Sequence, residues 1–182
     1  IERLKERGGD LGVARALGEQ EDVVRIITVH KSKGLEFPIV FVAGLSKQFN
    51  RQDLQRDFLL HKRLGFGPKY VDTALRLVYP TLPWLAINNR LNLELLAEEM
   101  RILYVALTRA REKLFLVATV KNIAAEVQRW AARSSSKEQL LPAYDRRRAR
   151  SYLDWLGPAL LRHPQAAVLR AMPGEPGSVP CL

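Results

Sequence analysis

The chain has 182 residues, of which 47% are apolar and 26% charged, a composition typical of a globular domain with a hydrophobic core. No apolar run is long enough to span a bilayer, nothing in the sequence indicates secretion, and a single cysteine, Cys181, excludes an internal disulfide framework. A cytoplasmic location is therefore the simplest expectation. Lysine and arginine outnumber aspartate and glutamate by 29 to 19, giving a net charge of +10, which favours a polyanionic partner, although such charge also serves solubility alone.

The first 22 residues are predicted to be a helical lead-in to the main domain. Residues 1–7 are predicted to form the last turns of a helix that Gly8 and Gly9 stop, and residues 11–17 a second short helix. Because the sequence opens abruptly on Ile1, we expect the chain to be part of a longer polypeptide.

Two apolar runs, Val23–Val29 and Pro38–Ala43, flank a polar turn over residues 30–36. Both runs are short and rich in valine and isoleucine, which predicts two strands of a sheet that is buried on both faces, as in parallel α/β folds. Ligands of such folds bind where loops leave the carboxyl ends of the strands. The turn carries one histidine, two lysines, a glycine and a glutamate, so it is a candidate site, although a solvated turn without a ligand fits this stretch equally well.

The middle of the chain is predicted to combine a loop, a small hairpin and a long helix. Residues 44–56 form a loop with a short helix, and residues 70–71 and 75–79 are extended. Two prolines mark the entrance to a helix over residues 84–110. Its apolar face, expected in the core, recurs at three- and four-residue steps and consists of Leu93, Leu96, Met100, Leu103 and Leu107. A second face of this helix is predicted to carry Arg101, Tyr104, Thr108 and Arg111.

A third strand and a covering helix are predicted to complete the main domain. Residues 114–120 form a continuous apolar run, and residues 122–133 a helix with Ile123, Val127 and Trp130 facing inward. These elements give an α/β domain over residues 23–133.

Residues 134–182 are predicted to be a linker, an amphipathic helix and a flexible tail. The helix covers residues 151–162, with Ser151 as N-cap and three inward leucines, Leu153, Leu156 and Leu160. Before it, residues 145–150 carry four arginines. We interpret this run as a solvated face, with contact to a nucleic-acid backbone as the alternative.

Two stretches of the chain resemble helicase motifs. TVHKSKGLEFPIVFV, residues 28–42, resembles motif V of the UvrD-like superfamily 1 helicases, and EEMRILYVALTRAR, residues 98–111, resembles motif VI in the family's order. The intervening LHKRLGFGPKYVD and YPTLPWLAI are similar to the AddA-type subunits of bacterial AddAB helicase–nucleases, a branch of that family. The resemblance implies a partial RecA-like α/β domain with a mainly parallel sheet flanked by helices. It also implies a motor that hydrolyses ATP and unwinds DNA to process double-strand breaks for recombinational repair.

The resemblance assigns nucleotide roles to four residues. Arg109 matches the arginine finger, since a guanidinium can stabilise the charge of a transferring phosphoryl group. Glu36 matches the carboxylate that accepts hydrogen bonds from the nucleotide ribose, and Gly34 lets the backbone turn tightly beside it. Arg101 matches a supporting arginine that holds the Glu36 loop or Tyr104. The alternatives are an Arg109 that is merely paired with Glu98 or Glu99, and a turn glycine without a ligand.

The start of motif V is implied to face DNA, through Thr28, His30, Lys31 and Lys33, which donate to phosphate oxygens without reading sequence. Tyr104 is expected to pack between helix and sheet rather than stack on bases. The implied partners are single- and double-stranded DNA, an AddB-type subunit and a preceding RecA-like domain.

The chain lacks the G-x-x-x-x-G-K-[ST] pattern and the paired acidic residues that hold Mg²⁺. ATP and Mg²⁺ are thus expected in the intact protein, with the Mg²⁺ ligands elsewhere and no metal site here. The fragment is predicted to be half of an ATP site, inactive alone and with an incomplete sheet. The alternatives are a UvrD-type repair helicase without nuclease, an interaction-only helicase domain, and a non-catalytic basic nucleic-acid-binding module.

Overall fold

The computed structural model describes residues 23–134 and 140–171. The helices predicted within residues 1–22, most of the predicted linker and the end of the predicted tail lie outside the described residues.

A parallel pair of strands lies at the centre of the motif region. Strand β1 (Phe37–Val42) pairs with β5 (Ala110–Leu116), with Val40 opposite Leu114. The amide of Phe37 donates to the carbonyl of Arg109 at 2.9 Å, so the start of β1 lies beside the start of β5. The third predicted strand therefore begins and ends four residues earlier than expected. The predicted α/β class, with parallel pairing and flanking helices, is confirmed.

The predicted strand Val23–Val29 is wrong. Residues 23–28 are irregular, Val24 and Ile26 are 97% and 98% exposed, and a short 3₁₀ helix, His30–Ser32, follows. A strand needs a neighbour for its main-chain hydrogen bonds. Within the described residues the parallel sheet has two strands, β1 and β5. The incomplete sheet, or a dimer that covers its open edge, stays a prediction.

A second, antiparallel sheet is formed by the segment between β1 and the long helix. It consists of β2 (Phe58–His61), β3 (Gly65–Asp72) and β4 (Leu77–Pro80), in the order β2-β3-β4. The predicted hairpin is its β3–β4 half, and β2 was missed because its four residues are too short to show a period. The short helix predicted in the preceding loop is present as a 3₁₀ turn, Gln52–Gln55.

The long helix α1 covers Leu82–Leu107 and is capped by Thr81, whose hydroxyl accepts from the amide of Trp84 at 3.3 Å. It ends three residues earlier than predicted because the chain turns at Thr108 and enters β5. Arg111 therefore belongs to a strand and does not share a helix face with Arg101. Of the predicted apolar face, Leu96 and Leu103 are buried, Leu93 and Leu107 are half-buried, and Met100 is 40% exposed.

Four further helices complete the described fold. They are α2 (Ile123–Arg133), α3 (Ala143–Arg148), α4 (Leu153–Leu161) and α5 (Ala167–Arg170), the last following a 3₁₀ turn at Pro164–Ala166. In α2, Val127 and Trp130 are buried as predicted, whereas Ile123 is 39% exposed because it lies in the first turn, beside the capping residue Asn122. No helix of the described ranges is both long and apolar enough to cross a bilayer.

The predicted start of α4 is wrong, whereas its predicted inward face is right at Leu153 and Leu156, which pack against buried core side chains, and wrong at Leu160. The helix begins after Tyr152, and Ser151 is buried without capping it, because the main chain just before it is drawn to the core by a 2.7 Å bond from the amide of Phe49 to the carbonyl of Arg150. Leu160 is 42% exposed. The buried face instead carries Trp155, Gly157, Pro158 and Leu161, because Gly157 lies against the flat indole of Trp130.

The core consists of two clusters of buried side chains. The first joins α1 to the C-terminal segment and contains Phe49, Leu96, Leu103, Ala149 and Trp155. The second lies between α2 and α4 and contains Val127, Trp130 and Leu161. The C-terminal helices thus pack on the same body that holds the two motifs. The division of the chain into a lead-in (1–22), a core (23–133) and an appendage (134–182) stays a prediction.

Candidate nucleotide and nucleic-acid site

The motif V turn, defined as residues 28–36, is held by its own main chain. The amide of Ser32 donates to the carbonyls of Thr28 and Val29, both at 3.2 Å, and the buried Ser32 hydroxyl donates to the Val29 carbonyl at 2.7 Å. Gly34 has a φ of +85° with open space around its Cα. The glycine is therefore needed for the backbone angle. The result is an ordered turn whose basic side chains, at His30, Lys31 and Lys33, are exposed.

Arg109 links this turn to the end of α1. Its Nη1 donates to the carbonyl of Leu35 at 2.8 Å, its Nε to the carbonyl of Val105 at 3.0 Å, and its Nη2 to the hydroxyl of Thr108 at 3.1 Å. A guanidinium has five N–H donors, so these three bonds orient the half-buried group and leave two donors for another acceptor. Leu35 is 74 residues away in sequence, and the parallel pairing brings it here.

The alternative partners of Arg109 are engaged elsewhere. Glu98 accepts from Arg101 at 2.9 Å, and Glu99 accepts from the hydroxyl of Tyr152. Arg109 therefore does not form the carboxylate pair that would have made it a purely structural residue of the helix end.

Glu36 lies at the opposite end of the turn from the lysines and is exposed. Arg111 is its neighbour, with 3.9 Å between Nε and Oε2 and side chains 67% and 63% exposed. A pair this open is weakly held, so Glu36 can accept hydrogen bonds from a ligand. The sequence analysis did not place Arg111 beside Glu36. The two residues are neighbours because Phe37 lies opposite Ala110 in the β1–β5 pairing.

A groove of about 590 Å³ separates the turn from one face of α1. It is lined by Val29, His30, Lys33, Ala97, Glu98, Met100, Arg101, Ile102, Tyr104 and Val105. Its lining is largely apolar, with His30 and Lys33 contributed by the turn and the Arg101–Glu98 ion pair contributed by the helix.

The structure differs from the contacts predicted for two side chains of α1, Arg101 and Tyr104. Arg101 pairs with Glu98, three residues before it on the same helix, and in the described residues it does not hold the Glu36 loop, because neighbours at this spacing meet on a helix surface. Tyr104 is 69% exposed and lines the groove. It does not pack between helix and sheet because the inward face is occupied by Leu103 and Ala106.

The predicted site residues therefore fall into two groups. His30, Lys33 and Arg101 line the groove. Gly34 and Glu36 flank Leu35, whose carbonyl accepts from Arg109, and Arg111 of β5 is the neighbour of Glu36. Thr28 closes the turn by accepting from the amide of Lys31 at 3.4 Å, and both side chains are exposed.

A buried histidine elsewhere was also missed. Nδ1 of His61 accepts from the amides of Arg63 and Leu64, both at 3.2 Å, so Nε2 carries the proton and faces Glu94 at 3.4 Å. This bond holds the pKa of the Glu94 carboxyl below its usual value. The pair fixes the β2–β3 turn against α1. Among the described residues no group of three metal-ligating side chains occurs.

The geometry of both motifs lies within a recognised helicase domain. A model of the UvrD-like helicase C-terminal domain matches residues 13–121, more than half of the chain. The chain belongs to the UvrD-like helicase C-terminal domain family. Both motif stretches and the parallel β1–β5 pair lie inside the matched range.

Curated relatives of this UvrD-like chain are named as ATP-dependent helicase/nuclease subunits. The Bacillus cereus (strain AH187) protein is 57% identical over 99% of the chain, and the chain covers 14% of that protein. The Geobacillus kaustophilus protein is 60% identical over 93% of the chain, which covers 14% of it. The Heliobacterium modesticaldum protein is 60% identical over 93% of the chain, which covers 12% of it. The chain thus spans about one seventh of the length of these relatives.

Proposed function

We propose that this chain is the C-terminal motor-domain portion of an ATP-dependent DNA helicase–nuclease that processes DNA double-strand breaks. The observation that carries the proposal is the contact of the Arg109 guanidinium with the motif V turn, beside Glu36. The same turn also lines a groove, through His30 and Lys33. Relatives at 57–60% identity bear a helicase/nuclease name, which supports this assignment.

The residues present fit one half of an ATP site. ATP supplies the γ-phosphoryl group that is transferred to water. The two remaining N–H donors of Arg109 suit an anionic oxygen, and the exposed carboxylate of Glu36 suits ribose hydroxyls. Gly34 permits the tight turn between these groups. The Mg²⁺ ligands are proposed to lie outside this chain, in a preceding RecA-like domain.

Arg109 is proposed to be the catalytic arginine. A planar guanidinium that is already oriented by three hydrogen bonds stabilises developing phosphoryl charge without first losing side-chain entropy. Arg101, which lines the groove from α1, is proposed to be a supporting residue whose pair with Glu98 keeps charge close to the groove.

Thr28, His30, Lys31 and Lys33 are proposed to contact the DNA backbone. Their exposed donors suit phosphate oxygens, and such contacts position a strand without reading its sequence. Because the nucleotide residues and the DNA residues share one short turn, a small shift of this turn alters both contacts. We propose this shared turn as the coupling element between ATP hydrolysis and movement along DNA.

The remaining assignments concern the whole protein. We propose that it works in the cytoplasm with single- and double-stranded DNA and with an AddB-type second subunit. The helicase/nuclease name of the relatives and the net charge of +10 support these partners.

DNA-stimulated ATP hydrolysis by the full-length polypeptide, with Arg109→Ala against the unsubstituted protein, tests the proposal. We expect turnover to fall about a thousandfold or more, with nucleotide affinity within a fewfold. Lys113→Ala, at an exposed charge in strand β5, which begins directly after Arg109, serves as the matched control and leaves turnover unchanged.

Hydrogen exchange of the motif V turn separates the catalytic role of Arg109 from a structural one. The turn keeps its main-chain bonds and the β1–β5 pairing in the Arg109→Ala variant, so its exchange should rise only slightly. Near-normal turnover, or lost turnover accompanied by a melted turn and lost nucleotide binding, contradicts the proposed role.

A further inference from the structure

A run of exposed arginines follows the α2 helix and belongs to neither end of the motif V turn. We define the arginine ridge as Arg146, Arg147, Arg148 and Arg150, at the end of α3 and just beyond it; all four are exposed. Sequence reasoning left this run open between a solvated face and a contact surface.

The main chain beneath the ridge is fixed to the core. Its carbonyls accept three long-range hydrogen bonds: Arg146 from Trp155 Nε1 at 3.0 Å, Ala149 from Arg51 Nη2 at 2.7 Å, and Arg150 from the amide of Phe49 at 2.7 Å. Ala149 itself is 0% exposed. A solvated linker would not need such anchoring, so the ridge is presented on a rigid base.

The carboxylates of this region are turned inward, away from the ridge side chains. Asp145 is 21% exposed and lies 3.9 Å from Arg133 of α2. Asp154, 10% exposed, lies 3.2 Å from Arg129 and accepts from the amide of Arg150 at 2.8 Å. Arg129 and Arg133 of α2 therefore pair with the acidic groups that would otherwise neutralise the ridge.

Three ridge side chains are left without a protein partner. Within residues 23–134 and 140–171, the side chains of Arg146, Arg147 and Arg150 form no hydrogen bond or ion pair. Arg148 instead donates to the hydroxyl of Tyr144 and lies 5.1 Å from its ring centroid. Basic residues do interact favourably with a helix C-terminus, but Arg150 lies beyond the end of α3.

We propose that the arginine ridge binds the phosphodiester backbone of DNA, at a second contact distinct from the motif V turn. The four exposed guanidinium groups concentrate positive charge along one short stretch of fixed main chain, and their planar forks match phosphate oxygens. The inference rests on the proposed function only for the identity of the polyanion. The ridge contributes affinity and no sequence preference, because phosphate contacts carry none.

The test is DNA binding by the full-length polypeptide in a salt titration, with a duplex and a single strand measured separately. The test variant combines Arg146→Gln, Arg147→Gln and Arg150→Gln. A matched control removes the same charge from the exposed turns of the antiparallel sheet, with Lys62→Gln, Arg63→Gln and Arg76→Gln. A third variant with lysine at the three ridge positions keeps the charge without the planar fork.

We expect the ridge variant to lose about tenfold or more in affinity near 0.1 M salt, with the control near the unsubstituted value. The slope of log affinity against log salt should become shallower by about 0.9 for each lost duplex contact and about 0.7 for each lost single-strand contact. If only duplex binding or only single-strand binding is weakened, that form of DNA is the one that binds the ridge. The lysine variant should keep most of the slope and lose part of the affinity.

The proposal is overturned if the ridge variant binds both the duplex and the single strand with unchanged affinity and unchanged salt slope. If this variant loses only its association with a second subunit, the ridge is a protein-docking surface and the proposal is likewise overturned. The ridge variant should keep its catalytic rate at saturating DNA, whereas Arg109→Ala should keep ridge binding. Failure of the ridge proposal is thereby distinguishable from failure of the proposed function.

Discussion

The motif V turn and the C-terminal cluster, formed by α2, α3 and α4, hold their charged side chains in different ways. In the turn, main-chain hydrogen bonds fix the backbone while His30, Lys31 and Lys33 remain exposed. In the cluster, Asp154 is buried and contacts arginines of α2. A buried charge must be paired to be tolerated, whereas an exposed charge on a fixed backbone is available to a ligand. The position of a charge relative to the core therefore separates structural from binding roles in this chain.

The largest effect on stability is expected at Asp154. Asp154→Ala removes the shared partner of Arg129 and Arg133 and should destabilise the α2–α4 contact by about 2–3 kcal/mol, because Arg129 is half-exposed and keeps Glu126 while Arg133 keeps Asp145. Hydrogen exchange at the amides of α2 and α4 in the full-length polypeptide measures this change. Asp53→Ala, which breaks an open pair with side chains 81% and 67% exposed, is the control and should cost less than about 1 kcal/mol. Equal effects of the two substitutions would contradict the distinction.

A smaller loss of stability is expected when a methyl group is added where α4 packs against Trp130. A Cβ on Gly157 would lie 2.3 Å from the indole ring, so Gly157→Ala should destabilise by about 1–3 kcal/mol. This outweighs the gain in helix propensity of about 1 kcal/mol. The same exchange experiment measures it. In a Trp130→Leu background the penalty should shrink, and an unchanged penalty there would rule out the ring as its cause.

Tyr152 gives a pH-dependent prediction at the border between α1 and the cluster. Partial burial and the hydrogen bond to Glu99 raise the pKa of Tyr152 well above its usual value. The folded protein therefore retains this proton at a pH where the unfolded chain, with a pKa near 10, loses it. The stabilisation is fully present below about pH 10 and declines as the pH rises further.

Tyr152→Phe removes both the bond and this pH dependence, with an expected loss of about 1 kcal/mol near neutral pH. Pulse proteolysis of the two proteins at pH 8 and pH 10.5 measures the difference, which should narrow at the higher pH. A difference that is constant across this range would contradict the raised pKa as the cause.

The smallest effect on stability is expected at the exposed pair of the turn. Glu36→Gln should change local stability by less than about 0.5 kcal/mol, because its partner Arg111 is equally open. Nucleotide affinity should nevertheless fall about tenfold, by loss of hydrogen bonds to a charged acceptor. Calorimetric titration with a non-hydrolysable nucleotide measures this, and Glu112→Gln on the neighbouring strand is the matched control. Unchanged affinity would remove Glu36 from the nucleotide site.

Much of the fold was predictable because its signals are local. Helix α2 follows directly from its periodicity and the Asn122 cap, and β1 from its apolar run within one residue at each end. The errors lie where long-range contacts override the local pattern. The predicted helix 84–110 ends early because pairing with β1 recruits Ala110 and Arg111 into β5, and Val23–Val29 does not form a strand because no described segment pairs with it.

The amino-acid sequence by itself determined the α/β class, the two motif stretches and the residue types that suit phosphate and ribose. It could do so because periodicity is a property of neighbouring residues, and because residues 28–42 and 98–111 resemble the family's motifs V and VI. The tertiary structure alone decided that Arg109 contacts Leu35, and that Asp145 and Asp154 face inward while the arginine ridge faces outward. These outcomes depend on which distant segments pack together, since packing determines which charges are buried and paired and which remain free to bind a partner.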